Sequence, residues 1–413
     1  GQNSLENNTT GASNTAVGRD SLKANTTGAG NVSLGQASMV TNTTGSYNIA
    51  IGPSALEANT TASDNVAIGR VAMVANTTGT ANVAVGALAL DANTTADNNT
   101  AVGYNALTAN TTGTENTSVG DASSDANTTG SYNTALGRNS LGGNTTASHN
   151  TAIGRLAMLT NSTGASNTAV GSGALQGNTT AANNTAVGAN ALVANTTGNQ
   201  NVAVGLDAGV AITTGSSNVV VGKNAGLAIT TVNQNTFIGT GAGSLVTSGA
   251  NNTIIGGHNG NIGGLDIRTA SNYIVLSDGD GNPRLWSNNL GRIFGPGIYS
   301  GTTAAGANVV CAASGQLERS TSSLRYKNTV NDATHGLAEL LTLRPVTYKG
   351  NNNGDTVFGG LIAEEVHDAG LTEFVSYNND NEPDALAYGN MVSLCIKALQ
   401  ELSAKNDALE ARL

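Results

Sequence analysis

A pentapeptide, Asn14-Thr15-Ala16-Val17-Gly18, returns every 17 residues through the first three fifths of the chain. Its asparagine recurs as Asn31, Asn48, Asn65, Asn82, Asn99, Asn116 and Asn133, and on through Asn150, Asn167, Asn184, Asn201, Asn218, Asn235 and Asn252. From Asn14 to Asn252 is 238 residues, with no insertion or deletion. A globular domain varies its loops. A solenoid must keep every coil the same length so that identical residues stack. The repeat therefore predicts a stack of fifteen coils, about 70 Å long at the roughly 4.8 Å spacing of paired strands.

Slots are counted from the asparagine. Slot 4 is always a large aliphatic residue, as in Val17, Leu34 and Ile51. Slot 2 is Thr, Val or Ile, and slot 3 is Ala or Ser in the first twelve units. This alternation predicts a short strand with slots 2 and 4 on one face and slot 3 on the other. Slot 5 is Gly in every unit, which suits a corner with positive φ or close backbone approach. Slots 8 and 9 are small then large (Ala55-Leu56, Ala72-Met73), and slots 12 to 14 read Asn-Thr-Thr in eleven units, once as Asn161-Ser162-Thr163. Slot 15 is mostly Gly. Each coil is expected to hold two short strands joined by two glycine corners. The small residue at slot 3 is read as the mark of a crowded interface between chains, hence a homotrimer. In the last three units slot 3 becomes Val220, Phe237 and Ile254 while slot 9 becomes Gly209, Gly226 and Gly243, so the stack is expected to widen toward a cap.

Asn-Thr-Thr is also a glycosylation sequon, but Asn and Thr close turns and form ladders, which is the reading adopted. Regular Thr columns raise an ice-binding face, which requires a flat, exposed array.

Composition agrees with a repeat-built core. Aromatic residues are only 3% of the chain and Gly is 54 of 413, too few large side chains for an ordinary globular interior. A net charge of −10 argues against a nucleic-acid footprint. No apolar run approaches a membrane span. Cys311 and Cys395 lie far apart and are read as free thiols. The chain opens on Gly1, at the slot of Gly18, so it reads as a piece of a longer protein. Residues 1–256 carry 6 basic and 10 acidic residues, whereas 257–413 carry 11 and 17, which marks a boundary. The predicted domains are a β-solenoid shaft (1–256), a β-rich neck (257–321) and a C-terminal module (322–413).

In the neck, Asn272–Ser277 reads as a strand and Asp278–Pro283 as a turn. That Asp/Asn/Gly cluster lacks the downstream Glu of a calcium loop, so it is taken as a plain turn and no metal or cofactor is expected. Trp286, Ile293, Phe294, Ile298 and Tyr299 supply apolar bulk that the shaft lacks, for a neck built of strands from three chains.

The shaft units resemble the β-roll of trimeric autotransporter adhesin heads, whose repeat centres on a similar strand; such repeats also occur in bacteriophage tail fibres. The period differs, so coil geometry is not carried over. The C-terminal module holds Ser322-Ser323-Leu324-Arg325-Tyr326-Lys327, a helix pattern at Leu337, Leu340 and Leu341, Leu343-Arg344-Pro345-Val346-Thr347-Tyr348, and Gly360-Leu361-Ile362-Ala363-Glu364-Glu365-Val366. In this order these motifs resemble the intramolecular chaperone domain of phage tail fibres and endosialidase-type tailspikes. The resemblance spans 322–413. It implies a domain that trimerises the fibre and then cuts itself off once, in cis, through a Ser–Lys dyad. Ser322 and Lys327 match that spacing, with the cut between Thr321 and Ser322. Ser322 would attack the carbonyl of Thr321 while a neutral Lys327 takes its proton, and water would release the ester. The family often has Asp after the serine, where this chain has Ser323.

The final helix carries a heptad with Val392, Leu399, Asn406 and Leu413 at a and Cys395, Leu402 and Leu409 at d. The whole is read as mainly β. It is a trimeric parallel β-solenoid (β-roll), with a small β-rich neck and an α+β chaperone that ends in a coiled-coil helix. The expected function is a phage tail fibre or tailspike segment, made in the host cytoplasm and carried on the virion tail. Its expected partners are two further copies and a host-surface receptor, a glycan or outer-membrane component, with no nucleic acid and no membrane insertion. The alternatives are a bacterial trimeric adhesin, a glycan-degrading tailspike, for which Asp64, Asp97, Glu115 and Asp121 show no repeated pairing, and the ice-binding solenoid.

Overall fold

The structure is a computed structural model. It describes residues 1–295, 309–311, 317–319, 329–350, 355, 357–378 and 380–412. Two compact units divide the chain, Gly1–Thr302 and Thr303–Leu413.

The first unit is a mainly parallel β-solenoid of 17-residue coils. Fifteen three-residue strands, β1 (Thr15–Val17) through β15 (Thr253–Ile255), pair in parallel and in register, as in Ala101 opposite Ser118. Slot 5 ends each strand. Gly103 has φ 141°, and a Cβ there would stand 2.3 Å from the carbonyl oxygen of Gly120. Either condition alone disfavours a side chain, and together they explain why slot 5 does not vary.

The rest of the coil departs from expectation. Slots 8 to 14 form turns, not a second strand. Slots 7 and 9 take left-handed conformations, with φ 55° at Ser54 and 53° at Leu56. With positive φ at both slots, the slot-7 and slot-9 amides aim in opposite directions along the stack, while the slot-8 N–H of Ser38 turns back to Gly35 O in its own coil. The slot-7 N–H of Ala37 donates to Arg19 O in the coil before (2.9 Å), and the slot-9 N–H of Met39 donates to Ala55 O in the coil after (3.0 Å). The ladder thus survives without a pleat. A left-handed leucine costs about 1–2 kcal/mol, which burying the same side chain, at about 1.5–3 kcal/mol, offsets. The second corner also differs, since slot 15 accepts Ala62, Ala96 and Val232.

Slot 3 points inward. Ala50, Ala67, Ala84 and Ala101 are fully buried and join Leu56, Met73, Leu90 and Leu107 of slot 9 in one core. This overturns the reading of slot 3 as an interface between chains. The large slot-9 residue leaves room for only a small side chain, Ala or Ser, across a single coil, so the chain's own turn segment explains the small residue. Slots 2 and 4 therefore face out.

Two buried asparagine ladders join the coils. At slot 1, Asn31 Oδ1 accepts the backbone N–H of Asn48 (2.9 Å), and Asn31 Nδ2 donates to Gly45 O (2.9 Å). At slot 12, Asn42 Nδ2 donates to Asn25 Oδ1 (2.8 Å) and to Gly45 O (3.0 Å). Both Asn25 and Asn42 are fully buried. The sequon asparagines are thus internal ties, as the ladder reading requires. The slot-12 ladder stops at Asn195, whose Oδ1 has no partner because Ile212 follows in that column.

Beyond it the core exchanges volume from side to side. A Cβ on Gly243 would lie 2.5 Å from the ring of Phe237, so glycine at slot 9 makes the room that Phe237 fills from slot 3. β15 then pairs in parallel with β18 (Ile274–Ser277), which turns back antiparallel into β19 (Pro283–Ser287) and β20 (Ile293–Phe294). A short hairpin, β16 (Asn261–Ile262) with β17 (Leu265–Asp266), lies between. Trp286 stacks on Phe294 with centroids 3.8 Å apart. His258 is fully buried where the solenoid ends. Its Nδ1 stands 3.1 Å from Gly281 O and must donate, because a carbonyl only accepts; its Nε2 has no protein partner. Burial holds its pKa below the ordinary 6.5.

The second unit is small. Strands β21 (Val309–Cys311) and β22 (Leu317–Arg319) pair, as do β23 (Val346–Lys349) with β24 (Val357–Gly360) and β25 (Val375–Tyr377) with β26 (Pro383–Leu386). Helices α1 (Leu337–Leu340), α2 (Ala363–Asp368) and α3 (Tyr388–Glu410) accompany them. Val366, Leu371, Phe374, Met391 and Leu394 form its core.

Two outcomes follow from this packing. Ala101→Leu should cost the shaft about 1–3 kcal/mol by overpacking one coil, seen as an earlier melt by circular dichroism, while Thr100→Val, facing out, should leave the melt in place. Equal effects would put slot 3 outside the core. For His258 the folded pKa is depressed, so the unfolded chain binds the extra proton and stability is lost as pH falls through about 6.5. Intrinsic-rate-corrected hydrogen exchange over 274–287 should quicken between about pH 7 and pH 5, and His258→Phe should remove that change. Protection independent of pH in the parent would uncouple His258 from the cap.

Candidate functional site

The outward strand face is a regular surface that runs through all fifteen coils of the first unit. Slot 4 stays aliphatic in every coil and is left partly or largely open, from Val17 (57% exposed) to Leu136 (47%) and Ile255 (44%). Slot 2 beside it is Thr, Val or Ile, so the two columns carry no charge over fifteen coils. In-register pairing continues both columns into Ile274 (slot 2) and Leu276 (slot 4) of β18. There Leu285 and Ile293 join them and line a groove of about 150 Å³ with Trp286. A stripe about 70 Å by 10 Å is roughly 700 Å², close to one partner's share of a standard interface. Slot 4 gives this stripe an unbroken aliphatic column, and slot 2 adds Val or Ile in six coils and Thr in nine; contiguous apolar surface of this extent is uncommon on monomers.

The second unit has its own unpartnered face. Helix α3 buries Met391, Leu394 and Ala398 in the module core. The expected heptad row points elsewhere: Val392, Cys395, Leu399, Leu402, Asn406 and Leu409 are all exposed. Two faces on one helix mean that the a/d row is not needed to hold α3 in its own chain. Leu413, the next a position, lies outside the described residues. Residues at the start of α3 also line an open groove of about 420 Å³ with Leu340, Leu343, Pro345 and Leu361. Tyr388 fastens this end, its hydroxyl accepting from the N–H of Leu361 (2.7 Å). Arg344 pairs with Glu365 (3.2 Å), and both residues belong to motifs that carry the resemblance.

Thr321, Ser322, Ser323 and Lys327 lie outside the described residues, so the structure does not place the expected dyad. Two of the four acidic side chains considered for glycan cleavage have other partners: Asp97 Oδ1 accepts the N–H of Thr80 (2.6 Å), and Asp121 pairs with Arg138 (3.2 Å). In the Asp278–Pro283 turn, the Asp278 carboxylate is held by Arg284 (3.0 Å) and by the N–H of Asn282 (2.9 Å). Among the described residues no group of three His, Cys, Asp or Glu is placed to hold a metal. Slot-14 threonines such as Thr44, Thr78 and Thr112 do form an exposed column. Slot 17 nearby changes from Tyr47 to Asp64, Ala81, Asn98 and Glu115, so the surface is not a uniform lattice.

The sequence missed which strand face lies outside. The signal was present in slot 9, whose large residue must fill the coil and so displaces the other aliphatic column outward. Comparison with known proteins adds no relative: no family model, no curated protein and no solved structure matches the chain.

Cys395 offers a direct probe of the exposed helix row. Parallel, in-register association through that row brings copies of the thiol together, so mild oxidation should give disulfide-linked chains on a non-reducing gel. Cys395→Ser should abolish the product. Failure of the native chain to cross-link would exclude a parallel seam at this position.

Proposed function

We propose that this chain is a segment of a homotrimeric bacteriophage fibre or tailspike. In this reading the outward strand stripe packs three shafts together, and the C-terminal unit gathers the chains before the shafts join. The uncharged stripe of slots 2 and 4 carries the reading. A rod that leaves such an aliphatic column open over its whole length fits a partner of matching length and matching uncharged pattern, and a second copy has both. The exposed a/d row of α3 supports the same partner at the other end of the chain. The resemblance of 322–413 to phage chaperone domains supports the virion setting and a host-surface receptor as the fibre's target.

The division of labour has a physical reason. Shafts displaced by 17 residues, or by any multiple, would match almost as well as aligned ones, so the shaft chooses its register poorly. A trimeriser of unique sequence at one end removes that ambiguity. Cleavage before Ser322 would then leave a fibre that cannot easily retrace its assembly.

Placing charge on the stripe tests the assembly. Val102→Asp with Leu136→Asp should leave circular dichroism of the shaft intact but yield monomers by light scattering, because the carboxylates face solvent in one chain and would be buried unpaired in three. A trimer of undiminished stability would overturn the interface. Mass spectrometry tests the cut. The parent should yield a piece beginning at Ser322, with product masses summing to the parent plus one water, and Ser322→Ala should stay whole yet trimeric. A parent that remains intact for days as a trimer would leave the module as a retained cap.

A further inference from the structure

One coil breaks the core. From Leu22 to Leu192, slot 9 is Leu or Met in every coil but one, and there it is Ser124. The same coil has Ser118 at slot 3 and Ser123 at slot 8, so all three inward positions carry hydroxyls. Each is at most 1% exposed, and none has a hydrogen-bond partner within the protein. The apolar core divides here. One cluster runs from Leu22 to Leu107, and the other begins at Ala135.

A second serine pair provides an internal control. Ser33 and Ser38 occupy the same slots 3 and 8 two coils from the start of the shaft. They bond to each other, and Ser21 Oγ donates to Ser33 Oγ (2.8 Å). That coil keeps Met39 at slot 9, fully buried. Serines at slots 3 and 8 can therefore satisfy one another when slot 9 is filled. Ser124 lacks two of leucine's side-chain heavy atoms, which leaves room on the scale of one or two waters at about 30 Å³ each. Buried hydroxyls without partners are rare in folded proteins, and a polar space of this size is where ordered water is found.

We propose that the coil Asn116–Tyr132 holds an internal water site bounded by the hydroxyls of Ser118, Ser123 and Ser124, and that this site is the joint between the two halves of the shaft core. Its ligand is water, or a solute of the same size with both donor and acceptor capacity. The site forms within one chain, so it does not depend on the fibre reading.

The test uses the full-length chain and hydrogen exchange of peptides covering 116–132. If water bridges the hydroxyls, Ser118→Ala removes a satisfied hydrogen bond and exchange there should quicken several-fold. If the hydroxyls are dry, the same change removes a buried orphan, and exchange slows or stays the same, which overturns the proposal. Ser124→Leu tests the room itself: it should slow exchange in this coil and its two neighbours by rejoining the core. Faster exchange would mean that no space exists. A high-resolution crystal structure should show oxygen-sized density within hydrogen-bond distance of at least two of the three hydroxyls. Density absent, with the serines bonded only to one another, would also overturn it.

Discussion

Everything in the shaft depends on coils that hydrogen-bond both to the coil above and to the coil below. The strand supplies this over three residues only. At slots 7 and 9 the backbone supplies it by taking left-handed conformations, and at two corners the asparagine amides supply it. Asn31 shows how little freedom remains, since its oxygen takes the N–H of Asn48 and its NH₂ takes the carbonyl of Gly45. Leaving one such buried group unpaired costs about 1–3 kcal/mol. An inserted residue would break several at once in each coil it touched, which is why the 17-residue period admits no variation across 238 residues.

That constraint also decides what lies inside. The turn segment brings a leucine or methionine at slot 9 across the coil toward the strand. Once it is there, slot 3 is held to alanine or serine. Phe237 and Gly243 show the same rule in reverse, with the large residue on the strand and none opposite. The interior is thus closed by one chain, and the second aliphatic column is left on the outside. The aliphatic part of that column is unfavourable in water at about 25 cal/mol per Å² of apolar surface, and association with copies is the proposed relief.

The C-terminal unit solves a different problem. Its core is built from Val366, Phe374, Met391 and Leu394, residues drawn from helices and strands without any repeat. Unique packing of this kind cannot slip by a period, unlike the shaft. Helix α3 adds an outer row of Val392, Leu399, Leu402 and Leu409 that its own module does not cover. Asn406 in that row is the sort of polar a residue that sets register at some cost in stability.

Much of this was legible in the sequence by itself. The period set the solenoid and its fifteen coils, the invariant glycine marked the strand's end, and the heptad located the outer row of α3. These are local or strictly periodic signals, which a chain displays without being folded. Other features belonged to the tertiary structure. Nothing about Ser54 or Leu56 announces a left-handed backbone, because that conformation is imposed by hydrogen bonds to neighbouring coils. Whether alanine or valine faces inward depends on what stands across the coil, so slot 3 could be read only once slot 9 had been placed. Ser118, Ser123 and Ser124 could be seen as polar residues at three slots, but only packing brings them into one buried space without partners. His258 reads as one more polar residue after a glycine pair; the folding of the Gly281 turn over it leaves one ring nitrogen buried and unpaired.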